Sequence, residues 1–177
     1  WKTIFSISDM AFLLNMKDIQ SVRNYASALG KEWILQSLAY GIRWLQRYDK
    51  YELASKLKKK SYISLETVLY MHGIIYQDYG QIITSISDNT INKKTKWCTY
   101  MYKKITSKIL LDPLGIEHNN NYSIASAERA ICDKIYLSPL SSFDNLEHIS
   151  FEKLYHISQI YPRRVRLSLD NLIHHAS

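Results

Sequence analysis

The chain has 177 residues, 46% of them hydrophobic and 22% charged, which is enough to bury a core and sets it apart from disordered chains. No apolar run approaches the roughly 20 residues that span a bilayer, and no secretory leader is visible, so a cytoplasmic location without a membrane partner is expected. The net charge of +7 is uneven, with 11 Lys/Arg against 5 Asp/Glu in residues 1–60, 6 against 5 in 61–125 and 6 against 6 in 126–177, so a polyanion partner would meet the first third.

The chain opens on Trp1 rather than Met, and any element that precedes the first helix is expected to lie before it. Ser8 and Asp9 read as a helix start, with Met10 to Leu14 forming a short apolar helix. Asn15 to Asp18 make a tight connection to a second helix, expected over Ile19 to Leu29 with Gly30 as its C-cap. Ile19, Val22, Ala26 and Leu29 recur at helical spacing and face a core. At 100° per residue, Gln20, Arg23, Asn24, Ser27 and Lys31 share the opposite face. These are residue types that read base edges and phosphates, and also what any solvated helix face carries.

Trp33 to Leu38 is a β-prone run, Tyr40-Gly41 a turn and Ile42 to Leu45 a returning strand. Short helix, tight turn, helix and hairpin follow in the order of a winged helix-turn-helix. Such a domain normally has one more helix in front. A short helix over Tyr51 to Leu57 then ends in the lysine cluster Lys56, Lys58, Lys59 and Lys60, read as the seam between two domains, 1–60 and 61–177.

Beyond the seam, Tyr62 and Ile63 are extended, Ser64 caps a helix, Leu65, Val68, Leu69 and Met71 pack, Gly73 ends it and Ile74 to Tyr76 start a strand. Gln81 to Ser87 and Lys96 to Ile105 alternate as strands, and Asn119 to Asn121 form a turn. Tyr122 to Ala125 is extended, Ser126 caps a helix stopped by Pro139, Ser150 caps another ending at Pro162, and Val165 to His174 forms the last. The expected fold class is α+β: an N-terminal winged helix-turn-helix, then an α+β domain with a small, mostly antiparallel sheet.

Chemistry-bearing motifs are scarce. No CxxC, HExxH, GxSxG, P-loop, GxGxxG or Asp/Glu-x-Lys occurs, and Cys98 and Cys132 each stand alone. The expectation is a non-enzyme with no cofactor and no metal. The most suggestive charged group is Glu128, Arg129 and Asp133; Arg129 and Asp133 stand at i, i+4 and can pair, tying a helix to the sheet.

KKSYISLETVLYMHGII and, about fifty residues later, YSIASAERAICDKIYL resemble two hallmark segments of the AbiEi-like antitoxins of type IV, abortive-infection toxin–antitoxin systems. Upstream, IFSISDMAFLLN and SVRNYASALGKEWIL look like that family's helix-turn-helix, so the resemblance runs from about Ile4 to the last helix. It implies a winged-helix domain that binds double-stranded promoter DNA and represses its own operon, and a second domain that counters a cognate nucleotidyltransferase toxin. Glu128, Arg129 and Asp133 are the antitoxin-domain candidates. Gln20, Arg23, Asn24 and Ser27 would face bases, and Lys31, Arg43, Arg47, Lys56, Lys58, Lys59 and Lys60 phosphates. The wing QSLAYGIRW is poorer in basic residues than the family's usual wing. A palindromic operator would call for a homodimer or cooperative neighbours. The alternative is a protein-interaction module on a winged-helix scaffold, with an exposed apolar patch on strand 96–105 as its sign. An unrecognised enzyme, with a pocket converging on Glu128, Arg129, Asp133 and a histidine, comes third.

Overall fold

The structure, a computed structural model, describes residues 2–32, 36–39, 41–45 and 48–176, with the side chains of 36, 38, 39 and 174–176 outside the description. Strand β1 (Ile4–Ser6) runs straight into helix α1 (Ile7–Leu13). The cap of α1 is Ser6, not Ser8: its hydroxyl accepts the Asp9 N–H at 3.1 Å, and the Asp9 carboxylate accepts the Ser6 N–H at 2.8 Å. Ser8 has Ala11 three residues on and has no such reciprocal partner. Asn15, at φ 51°, turns the chain toward helix α2 (Ile19–Lys31), whose N-cap Asp18 accepts from the Gln20 and Ser21 N–H groups. The helix runs through Gly30 to Glu32, because the ladder continues with the Glu32 N–H donating to Ala28 at 3.3 Å.

Strands β2 (Gln36–Ala39) and β3 (Ile42–Trp44) form a hairpin that turns at Gly41, φ 72°. Trp33 to Leu35 and Tyr40, the rest of the expected hairpin, lie outside the described residues. β1 adds to the other side of β3, giving a three-stranded antiparallel sheet in the order β1-β3-β2. Helix α3 (Lys50–Leu57), capped by Asp49, comes next.

The larger sheet contains β4 (Ser61–Ile63), β5 (Ile82–Ser87), β6 (Ile91–Lys94), β7 (Thr99–Lys104), β8 (Ile116–His118) and β9 (Ser123–Ala125), in the order β6-β7-β5-β4-β9-β8. Its helices are α4 (Glu66–Met71), α5 (Ser107–Leu110), α6 (Ala127–Leu137), α7 (Phe151–Ser158) and α8 (Arg163–Ala176). The α+β class holds, and this sheet is mixed: three of its pairings, β4 with β5, β6 with β7 and β8 with β9, run antiparallel, while its longest pair, β5 with β7, runs parallel, as does β4 with β9.

Several local expectations fail for identifiable reasons. Ser64 does not cap α4; its hydroxyl bonds Asp133 at 2.8 Å, and the turn is made instead by Leu65 at φ 60°. Ile74 to Tyr76 form no strand, because the Ile74 carbonyl is taken by the Asp144 N–H rather than by a neighbouring strand. The 96–105 strand begins only at Thr99, after a turn in which Thr95 and Cys98 bond each other, and that turn pairs β6 back onto β7. Met71 and Ile19 are half exposed rather than packed. Gly73, at φ 66°, does end α4, and Ser126 and Ser150 do cap α6 and α7.

Two buried clusters result among the described residues. Met10, Val22 and Ala26 pack α1 on α2. The main core joins both faces of the larger sheet to α6, α7 and α8, and takes in Leu53, Ala54 and Leu57 of α3 with Ile4 and Ile42 of the small sheet. The Tyr102 hydroxyl donates to the Ala54 carbonyl at 2.7 Å, fastening α3 to β7.

Candidate functional site

Two groups of residues carry the functional expectations, one on the surface and one inside. On α2, Val22 and Ala26 are fully buried, and the helix period then turns Gln20, Arg23, Asn24, Ser27 and Lys31 outward, all exposed. The Gln20 side-chain amide donates to Asn24 at 3.2 Å, so the two amides are held side by side one turn apart. This face offers a guanidinium, two amides and a hydroxyl, the donors and acceptors that match base edges in a major groove.

The expected phosphate contacts are scattered. Arg43 stands half-buried in the middle of β3, opposite Phe5 and Ser37. Arg47 lies outside the described residues. Lys56 is bonded to Asp9 at 3.0 Å, where Lys2 also bonds at 2.7 Å, and Lys58 is paired with Asp88 at 2.5 Å. Lys59 and Lys60 are exposed beside a pocket on the larger sheet. Burial would raise the Asp9 carboxyl, but Lys2, the Ser6 N–H and hydroxyl, and Lys56 outweigh it and hold the group far below the usual carboxylate range.

The second group is internal. Ser126 caps α6, and the following turn sends Arg129 and Asp133 inward, both 0% exposed. Asp133 accepts from the hydroxyls of Tyr161 at 2.7 Å, Ser64 at 2.8 Å and Tyr62 at 3.1 Å. Arg129 Nε stands 3.7 Å from the same carboxylate. Its other nitrogens donate to the carbonyls of Ile109 at 2.6 Å, Leu114 at 2.7 Å and Asp112 at 3.4 Å, and to the Tyr62 hydroxyl at 3.1 Å. Tyr62 and Tyr161 each have the guanidinium over their ring, at 5.4 Å. Burial pushes the Asp133 carboxyl above its ordinary value against the pull of Arg129 and the three hydroxyls, and pushes both tyrosines well above theirs.

Glu128 is separate, with the Ser126 hydroxyl at 2.9 Å and Lys153 at 3.2 Å; burial raises its carboxyl, and these partners with a backbone N–H bring it below the ordinary value. Arg129 and Asp133 present no surface to a partner. Chemically, the group locks α6 to β4, to the 109–114 segment and to the turn before α8. Sequence reading finds the Arg129–Asp133 pair but misses Tyr62, Ser64 and Tyr161, which look like ordinary strand and helix-end residues and meet Asp133 only in three dimensions.

On strand 96–105, where an exposed apolar patch would favour the interaction-module reading, Tyr100 and Tyr102 are fully buried and Cys98 nearly so, while Trp97 is 39% exposed and packs against Trp44 and Tyr48. Among the described residues no group of three His, Cys, Asp or Glu side chains is placed to hold a metal ion, and no helix is long and apolar enough to cross a membrane. No protein-family model matches the chain, and no curated protein sequence does.

Proposed function

We propose that the chain is a DNA-binding antitoxin and autorepressor of a type IV toxin–antitoxin operon, opposing a nucleotidyltransferase toxin. The observation that carries the DNA-binding part is the outward face of α2. Gln20, Arg23, Asn24, Ser27 and Lys31 are exposed together on a helix whose other side is fixed by Val22 and Ala26. A tight turn before that helix and the β2–β3 hairpin after it follow in the order of a winged helix-turn-helix, the helix entering the major groove and the hairpin meeting the flanking backbone. The antitoxin part rests on the resemblance of SYISLETVLYMHG and IASAERAICDKIYL to the family's hallmark segments.

In this reading Arg23 and Asn24 read bases, while Lys31 and Arg43 contact phosphates. Lys56 and Lys58 are engaged by Asp9 and Asp88 and contribute little. Binding of the full chain to the DNA upstream of its own gene, against scrambled DNA over a salt series, tests it. Specific binding lost in Arg23→Ala/Asn24→Ala supports base readout; equal, weak binding to both DNAs contradicts it.

A second reading, a protein-interaction module, draws support from a different surface than the one expected. Tyr70, Met71, Tyr76 and Tyr79 stand exposed around a cleft of about 550 Å³ beside α4.

A further inference from the structure

The β4-β9-β8 end of the larger sheet carries a pocket of about 300 Å³ that the DNA-binding reading leaves unused. Three adjacent strands line one side: Tyr62 from β4, Ser123 from β9, and Ile116 and His118 from β8. The facing wall runs from Leu110, the last residue of α5, to Pro113, and Lys59 and Lys60 border the pocket where the chain enters β4.

The lining divides into two chemistries. Leu110, Leu111, Pro113 and Ile116 are apolar, whereas Lys59, Lys60 and His118 are cationic or donor groups. The one acid in the lining, Asp112, is engaged within its own turn by the Leu114 N–H at 3.0 Å. His118 Nδ1 and the Ser123 hydroxyl lie 3.0 Å apart; with Nδ1 accepting from that hydroxyl, Nε2 carries the ring proton and donates.

The wall is also fixed in place. Fully buried Arg129 stands behind it and bonds the carbonyls of Ile109, Asp112 and Leu114, while holding the Tyr62 hydroxyl on the strand side. A cavity near the lower end of the size range of small-ligand sites, apolar for most of its lining and with a few convergent polar groups, has the character of a preformed ligand pocket. Two ammonium groups supply more positive charge than one carboxylate would balance, and the imidazole adds a hydrogen-bond donor, whereas a phosphate monoester carries about −1.5 to −2 at neutral pH.

We infer that this pocket binds a small phosphate ester with a flat, weakly polar body, the size of a nucleoside monophosphate. The phosphate sits at Lys59, Lys60 and His118, and the body lies against Leu110, Leu111 and Ile116. The inference stands apart from the α2 reading, since it uses none of its base-reading residues.

Isothermal titration of the full chain with AMP, inorganic phosphate and adenosine tests it, beside Lys59→Gln/Lys60→Gln and Leu111→Asp. All three substituted side chains are exposed, Leu111 at 74%, so both variants are expected to fold, and circular dichroism checks this. AMP should bind, with phosphate and adenosine each weaker by about tenfold or more. The lysine variant should weaken AMP by about tenfold, and Leu111→Asp should weaken AMP while leaving phosphate unchanged. Failure of AMP to bind, or AMP binding indifferent to the lysine variant, would overturn the assignment. So would a lysine variant that keeps AMP and loses the upstream DNA, because it would give those lysines to the nucleic acid.

Discussion

Asp133 collects three hydroxyl donors and a guanidinium from three separate stretches of chain, so its charge is satisfied only when all of them are assembled. Arg129→Met would leave that carboxylate buried without its cation, and urea unfolding should then show a loss of about 3–5 kcal/mol. A loss below about 1 kcal/mol would mean the pair is not a structural tie. Asp9 behaves in the opposite sense to a desolvated acid. Its folded pKa lies below the unfolded value of about 3.9, so its contribution is complete at neutral pH and fades as the solution is acidified through and below that value. Asp9→Asn should therefore be less stable than the parent at pH 7, with the gap closing in acid; a gap independent of pH would contradict this. Both cysteines are buried and free, and burial raises both thiols, so neither should react with a thiol reagent until the chain unfolds. Ser64 shows what the sequence concealed at this scale. Ser followed by Leu-Glu is a good local cap signal, and only the proximity of Asp133, 69 positions away, diverts the hydroxyl.

Among the elements, helices with local start and stop signals were readable: Ser126 before α6, Ser150 before α7 and Gly73 after α4 act through neighbours within a few residues. The missed strands are β1, β6 and β8, of three or four residues each, too short to display alternation and formed only by pairing with β3, β7 and β9. The parallel pairing of β5 with β7 was equally hidden, since alternation fixes which face is buried but not which strand lies alongside. Glycines in turns separate conformational from steric cost. Gly41 and Gly115 have φ of 72° and 73°, but a Cβ on Gly41 would meet nothing, whereas one on Gly115 would stand 2.8 Å from Ile157 and 3.0 Å from Arg129. Gly41→Ala should cost about 1–2 kcal/mol for the backbone alone. Gly115→Ala should add about 1–3 kcal/mol of overpacking to that. Equal losses in thermal or urea unfolding would show that the β8 entry yields without strain.

At the scale of the molecule, the seam read from the lysine cluster is crossed by packing. Ile4, Ile42 and α3 share one buried cluster with the larger sheet, and Trp44 of β3 lies 5.1 Å from Trp97, ring to ring, just before β7. Unfolding followed by tryptophan fluorescence and by far-UV dichroism should therefore give one coincident transition. Two separated transitions would show that the small sheet and the large one are held independently. The basic bias of the first third looked like a docking surface in sequence, yet two of its four clustered lysines are spent on Asp9 and Asp88 and the other two border the phosphate-ester pocket. On the proposed reading, the exposed face of α2 and half-buried Arg43 of β3 remain for DNA. The most direct test is fluorescence anisotropy of the chain on the DNA upstream of its own gene, against scrambled DNA, with Arg23→Ala/Asn24→Ala in parallel. Base readout by α2 gives tighter binding to the upstream DNA, lost in the variant to the level of scrambled DNA. Identical affinities for both DNAs, unmoved by the variant, would contradict it and turn attention to the tyrosine-lined cleft beside α4.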